Sequence, residues 1–202
     1  MSKTLERRAK QREALIDAAE KAIAAKGLAG LKTRDLAQEI GVANGAVYNL
    51  VADVDELVLL VGSRTLARLD AELAAADSGG PSVPEAALVR IALAYCDFAA
   101  KNLELWRALF EHRMAPDKPL PDWAVSEQMH LFRHIHQPLA VLFPRRSAEE
   151  SSITARSLFS AVHGMVALGL ERKLVAVPLA LLRREITTMV KAMVTGLVAA
   201  AG

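Results

Sequence analysis

The chain has 202 residues, a formal net charge of +2, 52 % hydrophobic residues and a single cysteine, Cys96. That length allows one large domain or two small ones with a real core, and no run of about 20 uncharged apolar residues exists to span a membrane. The charged N-terminus lacks the apolar stretch of a secretory signal, and a lone cysteine excludes an intramolecular disulfide, so a cytoplasmic chain is expected.

Many Ala, Leu and Val residues with few aromatics favour helices over sheets. Residues 1–12 read as a basic lead-in, loose at its start. A first helix then runs to about Lys26, with Ile16, Ala19, Ala22 and Ile23 on one face and Gly27 as its stop. Leu28 and Leu31 are expected to pack beneath the next two helices.

The stretch Thr33–Leu57, TRDLAQEIGVANGAVYNLVADVDEL, reads as two short helices around a tight turn, followed by the opening of a long helix. Thr33 can cap the second helix, which carries Leu36, Ala37 and Ile40 on one face. Gly41 ends it, because a residue without Cβ adopts the left-handed conformation cheaply. The third helix opens at Ala43 or Asn44 and turns Ala46, Val47 and Leu50 inward. Asp53 and Glu56 form a capping-box pattern for a fourth helix to about Ala76.

Residues 77–82, Asp-Ser-Gly-Gly-Pro-Ser, are the clearest break in the chain. Pro84 suits the first turn of a fifth helix that ends near Lys101. Asn102 caps a sixth helix reaching Met114, and the proline-rich residues 115–121 form a loop. A seventh helix spans 122–142 with a kink or break at Pro138. An eighth runs from Ala148 to Leu174, and a ninth from Pro178 almost to the end. The expected fold is all-α: a three-helix domain over residues 1–52 and a larger helical bundle over 53–202, about nine helices in total.

Ala37, Gly41 and Val47 stand in a telling order: small residue, turn glycine, apolar residue. Two steeply crossed helices need the small residue at closest approach and the apolar one to lock them. That is a helix-turn-helix, whose second helix enters the DNA major groove. Charge is distributed accordingly. Residues 1–34 hold Lys3, Arg7, Arg8, Lys10, Arg12, Lys21, Lys26, Lys32 and Arg34, whereas residues 35–60 hold no Lys or Arg. Phosphate affinity is therefore expected from the amino-terminal arm and Lys32.

Arg34-Asp35-Leu36-Ala37, Gly41-Val42, Gly45-Ala46-Val47-Tyr48 and Asp53-Val54-Asp55-Glu56-Leu57 stand in register with one pattern. This run of about 45 residues resembles the DNA-binding domain of the TetR family of transcriptional regulators. The resemblance implies a DNA site formed by Lys32, Thr33, Arg34, Asn44, Gly45, Ala46, Tyr48 and Asn49. Tyr48 matches the tyrosine that usually contacts a phosphate. Asn44, where many members have Lys or Arg, can pair bidentately with adenine. Three departures matter. Ala43 replaces a hydroxyl cap, leaving Asn44 to cap the third helix. Lys32 replaces another, shifting the cap to Thr33. Val54 replaces a frequent lysine, which removes a phosphate anchor.

Residues 157–171, with Val162-His163-Gly164, resemble the carboxy-terminal domain of a TetR subgroup marked by Trp-His-Gly, as does Tyr95–Met114. They imply a ligand-binding and dimerisation domain. Trp106, Phe110, Met114, Trp123, His134, Phe159, His163 and Met165 are the expected lining of an effector site, suited to an apolar, shape-matched ligand. Independently, Leu179, Leu182, Ile186, Met189, Val190, Met193 and Leu197 make an apolar stripe on the ninth helix. Ile153, Leu158, Val162, Met165 and Val166 do so on the eighth, where Gly164 and Gly169 permit close approach. Two such helices from each of two chains make a four-helix dimer interface; the alternative is packing within one chain.

His130 and His134 share a helical face near His136, but a polar or pocket-lining face is favoured over a metal site. Cys96, between Tyr95 and Phe98, reads as buried rather than redox-active. No Ser-His-Asp set, phosphate loop or carboxylate pair suggests an enzyme. The expectation is therefore no catalytic residues, no metal and no cofactor. The partners expected are an operator duplex, a small apolar effector and a second copy of the chain, with no membrane. The function expected is a ligand-responsive regulator, most often a repressor released from a palindromic operator. An enzyme or carrier that has kept the fold, or a helical adaptor, are the alternatives.

Overall fold

A computed structural model describes residues 3–77, 83–115, 117–171 and 177–201 of the chain. Most of the linker expected at 77–82, Pro116 of the loop, and residues 172–174 of the expected eighth helix lie outside the described residues; that helix in fact ends at Gly169, with Leu170 at its cap position. Among the described residues the fold is all-α, as the composition and periodicity predicted. The order is α1 (Lys3–Lys26), a 3-10 turn (Leu28–Gly30), α2 (Thr33–Glu39), a 3-10 helix (Asn44–Asn49), α3 (Val54–Asp77), α4 (Pro84–Lys101), α5 (Leu103–Glu111), α6 (Asp122–Leu131), α7 (Arg133–Leu142), α8 (Ala148–Gly169) and α9 (Leu179–Ala199). No helix among the described residues is long and apolar enough to cross a membrane.

The described residues pack as two compact units. The first comprises residues 1–67 and 102–125. Its core joins Leu15, Ile16, Ala19 and Ile23 of α1 to Leu36 and Ala37 of α2, Val47 of the 3-10 helix, Leu57 and Val61 of α3, and Leu105 and Ala108 of α5. Leu28 and Leu31 pack against this core as expected. A polar strut runs beside it. Arg64 on α3 donates to Glu13 at 2.5 Å and to Asp17 at 2.7 Å, and reaches Glu20 at 3.4 Å, three carboxylates on successive turns of α1.

The second unit comprises residues 68–101 and 126–202, and α4 is its central helix. Its buried residues, from Ala87 to Ala99, point in nearly every direction, because α7, α8 and α9 all pack on it. Asp97 of α4 pairs with Arg183 of α9. Asp70 of α3 accepts from Arg133 at 2.7 Å and faces His134 Nε2 at 3.0 Å.

Several local expectations are corrected. The lead-in is not loose from Lys3 onward; it is the first half of α1, held by contacts described below. The third helix is present, as a 3-10 helix. Thr33 lies inside α2 and Lys32 is the cap position, with no side-chain cap bond; Ala43, not Asn44, precedes the 3-10 helix, again with none. Asn102 does precede α5, but it too makes no side-chain cap bond. α5 ends at Glu111, three residues before Met114. The break in the seventh helix falls at Phe132, and Pro138 lies inside α7. There the chain turns so that Arg133 and His134 both meet Asp70, a long-range attachment that no local breaker residue announces.

Candidate nucleic-acid interface

The turn between α2 and the 3-10 helix has a complete hydrogen-bonded stop. Gly41 takes φ +69°, its N–H donates to Gln38, and the N–H of Val42 donates to Ala37 at 2.9 Å. Those two bonds satisfy the last carbonyls of α2 and turn the chain sharply. A Cβ at Gly41 would touch nothing within 4 Å, so the positive φ alone requires glycine here.

The 3-10 helix follows at once. Three residues per turn align every third side chain, so Val47 and Leu50 share the inward face. Val47 is 1 % exposed and sits among Leu36, Ala37 and the α1 core residues. The pitch leaves Gly45 and Tyr48 on one outer flank and Ala46 and Asn49 on the other, while Asn44, in line with Val47 but at the first position of the helix, is exposed. Tyr48 is 51 % exposed; Asn44, Gly45 and Asn49 are exposed and Ala46 is half-buried. Lys32 and Arg34 are exposed at the start of α2, and Thr33 is half-buried between them. The predicted contact residues thus lie on two consecutive short elements of one unit, and the side chains between them that are not offered outward are core.

The acidic opening of α3 is neutralised from elsewhere. Asp53 accepts from the N–H of Glu56 at 2.8 Å and caps the helix, as predicted. Glu56 completes the motif one residue early, accepting from the N–H of Ala52 at 2.5 Å. Lys118, in the segment after α5, hydrogen-bonds Asp53 and lies 3.7 Å from Asp55. The Lys118 bond, with the Glu56 N–H behind it, holds the Asp53 carboxyl below its ordinary range. His112 Nε2 stands 3.4 Å from Asp55. Sequence reasoning missed Lys118 and His112, because neither is near residue 53 in the chain.

It also missed the role of two arm arginines. Arg8 Nη2 donates to the carbonyl of Asn49 at 2.5 Å, and Arg12 Nε donates to the carbonyl of Leu50 at 3.2 Å. These bonds attach the first half of α1 to the end of the 3-10 helix. Lys3, Arg7 and Lys10 are exposed along one groove of α1.

The residues expected to line an effector site divide between the units. Trp106, Phe110, Met114 and Trp123 belong to the first, where Trp106 is buried and its ring lies 5.4 Å from that of Phe110. His134, Phe159, His163 and Met165 belong to the second. There Tyr95 and Phe132, both absent from the expected lining, join Phe159 and His163 in one aromatic cluster. The Tyr95 hydroxyl lies 2.8 Å from His163 Nδ1, and burial lowers the pKa of that imidazole. His134 is buried against Asp70. Cys96 is fully buried, which pushes its thiol up to about 11.

On α9, Leu182, Ile186 and Val190 pack inward within the chain together with Val194; on α8, Leu158, Val162 and Val166 do the same. Much of both predicted stripes is therefore intrachain core. Gly169 permits an intrachain approach, since a Cβ there would come within 2.8 Å of Leu182. Gly164 and Gly196 face open space.

Two family models match the chain. The one described as "Bacterial regulatory proteins, tetR family" covers residues 15–50, and "Tetracyclin repressor-like, C-terminal domain" covers residues 88–199. No curated protein matches. Similar solved structures include a protein of unknown function from Rhodococcus sp. RHA1, 23 % identical over 91 % of this chain and 94 % of that one, with a TM-score of 0.73. The TetR family transcriptional regulator PfmR from Thermus thermophilus is 17 % identical over 88 % of this chain and 97 % of its own, with a TM-score of 0.62. A TetR transcriptional regulator from Rhodococcus sp. RHA1 is 16 % identical over 92 % and 96 %, with a TM-score of 0.60. At these identities the structures establish the fold, and the family models establish the lineage. An outward-facing helix-turn-helix in the first 50 residues and a matched regulatory domain over most of the remainder make this chain a member of the TetR family of DNA-binding transcriptional regulators.

Proposed function

We propose that the chain is a homodimeric, effector-responsive repressor that reads a palindromic operator with residues 44–49. The observation that carries the reading is the division within one six-residue helix: Val47 is fully engaged by the core while Asn44, Gly45, Tyr48 and Asn49 face outward. An element anchored on one side and bare on the other is built to meet a surface. Asn44 supplies a bidentate base donor and acceptor, and Tyr48, Lys32 and Arg34 supply phosphate contacts, with Thr33, Ala46 and Asn49 beside them. Residues 1–52 carry the DNA function, and residues 53–202 carry effector binding and dimerisation.

The dimer uses what α8 and α9 leave over. On α8, Ile153, Ser157, Ser160, Gly164 and Leu168 fall on one face, with Ile153 and Leu168 58 % and 61 % exposed. On α9, Thr188, Ala192, Thr195, Gly196 and Ala199 form an uncharged, small-residue face that the second unit does not cover. Four such helices make a bundle and set two reading helices at a multiple of about 34–36 Å along the duplex. The effector is apolar or aromatic with one hydrogen-bonding group, matched to the cluster of Tyr95, Phe159 and His163. α3 runs through both packing units, so an effector that reorients it changes the spacing of the reading helices. Activity in the cytoplasm follows from this reading. A gel-shift titration with the DNA upstream of the chain's own coding region, at moderate salt, tests it. A sequence-selective shift supports a regulator of this kind, and binding no tighter than to unrelated DNA counts against it.

A further inference from the structure

The 3-10 helix Asn44–Asn49 is too short to hold its own direction. Its i to i+3 bonds have poorer geometry than α-helical ones, and its last carbonyls have no partner within the element. Two guanidinium groups answer them. Arg8 binds the carbonyl of Asn49 and Arg12 that of Leu50. Arg12 does more. Its Nη2 donates to Glu56 Oε1 at 3.1 Å, while the other oxygen of Glu56 accepts from the N–H of Ala52. One planar fork therefore ties α1, the end of the 3-10 helix and the first turn of α3 together. Positive charge at the carbonyl end also suits the helix dipole.

We infer that Arg12, seconded by Arg8, is a positioning residue for DNA reading: it sets the direction of residues 44–49 against α1 and α3, and is not a phosphate anchor. The inference rests on the reading of those residues as the DNA-contacting element. Arg12 is half-buried and has both a carbonyl and a carboxylate to satisfy, unlike Lys3, Arg7 and Lys10 on the open groove. A lysine at position 12 would keep the charge but lose the fork, since an ammonium is a point donor that cannot hold the two acceptors in the same planar geometry.

The test uses the full chain with Arg12→Lys, Arg12→Gln and Glu56→Gln. A duplex selected by the wild type from a random pool, and a scrambled duplex of equal length, are titrated by fluorescence anisotropy over a range of salt. Arg12→Lys is expected to lose about tenfold or more in affinity for the selected duplex, because a charge-assisted hydrogen bond is lost. It should keep the wild-type salt slope on the scrambled duplex, since no cation–phosphate contact has been removed. Glu56→Gln should act in the same direction. Arg12→Lys binding the selected duplex like wild type would overturn the inference. A second readout needs no DNA. Amide exchange at Leu50, Val51 and Ala52 should accelerate in the free Arg12→Lys and Arg12→Gln chains, and unchanged exchange in both would overturn the clamp. If the wild type selects no duplex at all, the DNA-reading proposal fails by itself, and the exchange result still decides the clamp.

Discussion

The backbone N–H of Val42 donates to the carbonyl of Ala37 at 2.9 Å, across a glycine held at φ +69°. That single bond closes the turn after α2 and leads the chain into the 3-10 helix Asn44–Asn49. Gly41→Ala should destabilise the chain by about 1–2 kcal/mol, the cost of a left-handed residue with a Cβ. Gly41→Asn should cost less, because asparagine tolerates that region. Denaturant unfolding of the three proteins checks the order. Since nothing lies within 4 Å of the added Cβ, a larger loss in Gly41→Ala would mean a steric role that this geometry does not contain.

Lys118 supplies the positive charge that the start of α3 lacks. Its bond to Asp53 depresses that carboxyl below 3.8, so the folded chain holds Asp53 ionised where the unfolded chain begins to protonate it. The contribution is present above pH 3.8 and is lost as pH falls through the lower folded value. Carbon-detected NMR titration of Asp53 should show its midpoint rising toward 3.8 in Lys118→Ala. A midpoint that does not move would separate Lys118 from the cap.

His163 behaves in the same sense for a different reason. Burial lowers its pKa from 6.5, so the unfolded chain takes up the proton first as pH falls. Its contribution is complete above pH 6.5 and declines below it as pH passes through the folded value. The stability difference between wild type and His163→Gln should therefore shrink on acidification through that window. Tyr95→Phe, which removes the hydroxyl 2.8 Å from Nδ1, should alter the same profile. Parallel pH profiles for wild type and His163→Gln would contradict this.

Dimerisation through α8 and α9 is best tested at residues the chain itself leaves bare. Ile153→Glu with Leu168→Glu places charge on two exposed positions, so the melting temperature should change little. Light scattering should report twice the mass of one chain for the wild type and a monomer for the variant, because two carboxylates in a dimer interface would be buried unpaired. Met189→Glu with Met193→Glu should also dissociate the dimer, but with some loss of stability, since both methionines are half-buried within the chain. A wild type that is monomeric at micromolar concentration would remove the basis of both.

What was legible in the chain was local. The order of Ala37, Gly41 and Val47 specified a turn and its packing, and each residue occupies the environment its type demands. Helical periodicity located α3, α4, α8 and α9 to within a few residues where the chain is described. Hidden features depend on bonds between distant residues. Arg8 and Arg12 read as free cations because their acceptors are backbone carbonyls 41 and 38 residues away, which carry no signature in a sequence. The same applies to Lys118, 65 residues from Asp53, and to the break at Phe132, beside which Arg133 and His134 meet Asp70. The stripes on α8 and α9 showed that these faces are apolar. They did not show that Leu182, Ile186 and Val190 are already buried within the chain, where α9 packs on α4 and α8.

Whether residues 44–49 read DNA is decided by one equilibrium titration. Wild type, Asn44→Ala and Tyr48→Phe are titrated at one fixed salt concentration against a selected operator and its single-base-pair variants. Tyr48→Phe should weaken binding to every duplex alike, as the loss of a phosphate contact must. Asn44→Ala should instead flatten discrimination at one or two base pairs, by about 1–3 kcal/mol, and leave the other positions as they were. If both variants bind every duplex with the wild-type affinity, the 3-10 helix is not the reading element and the account is wrong.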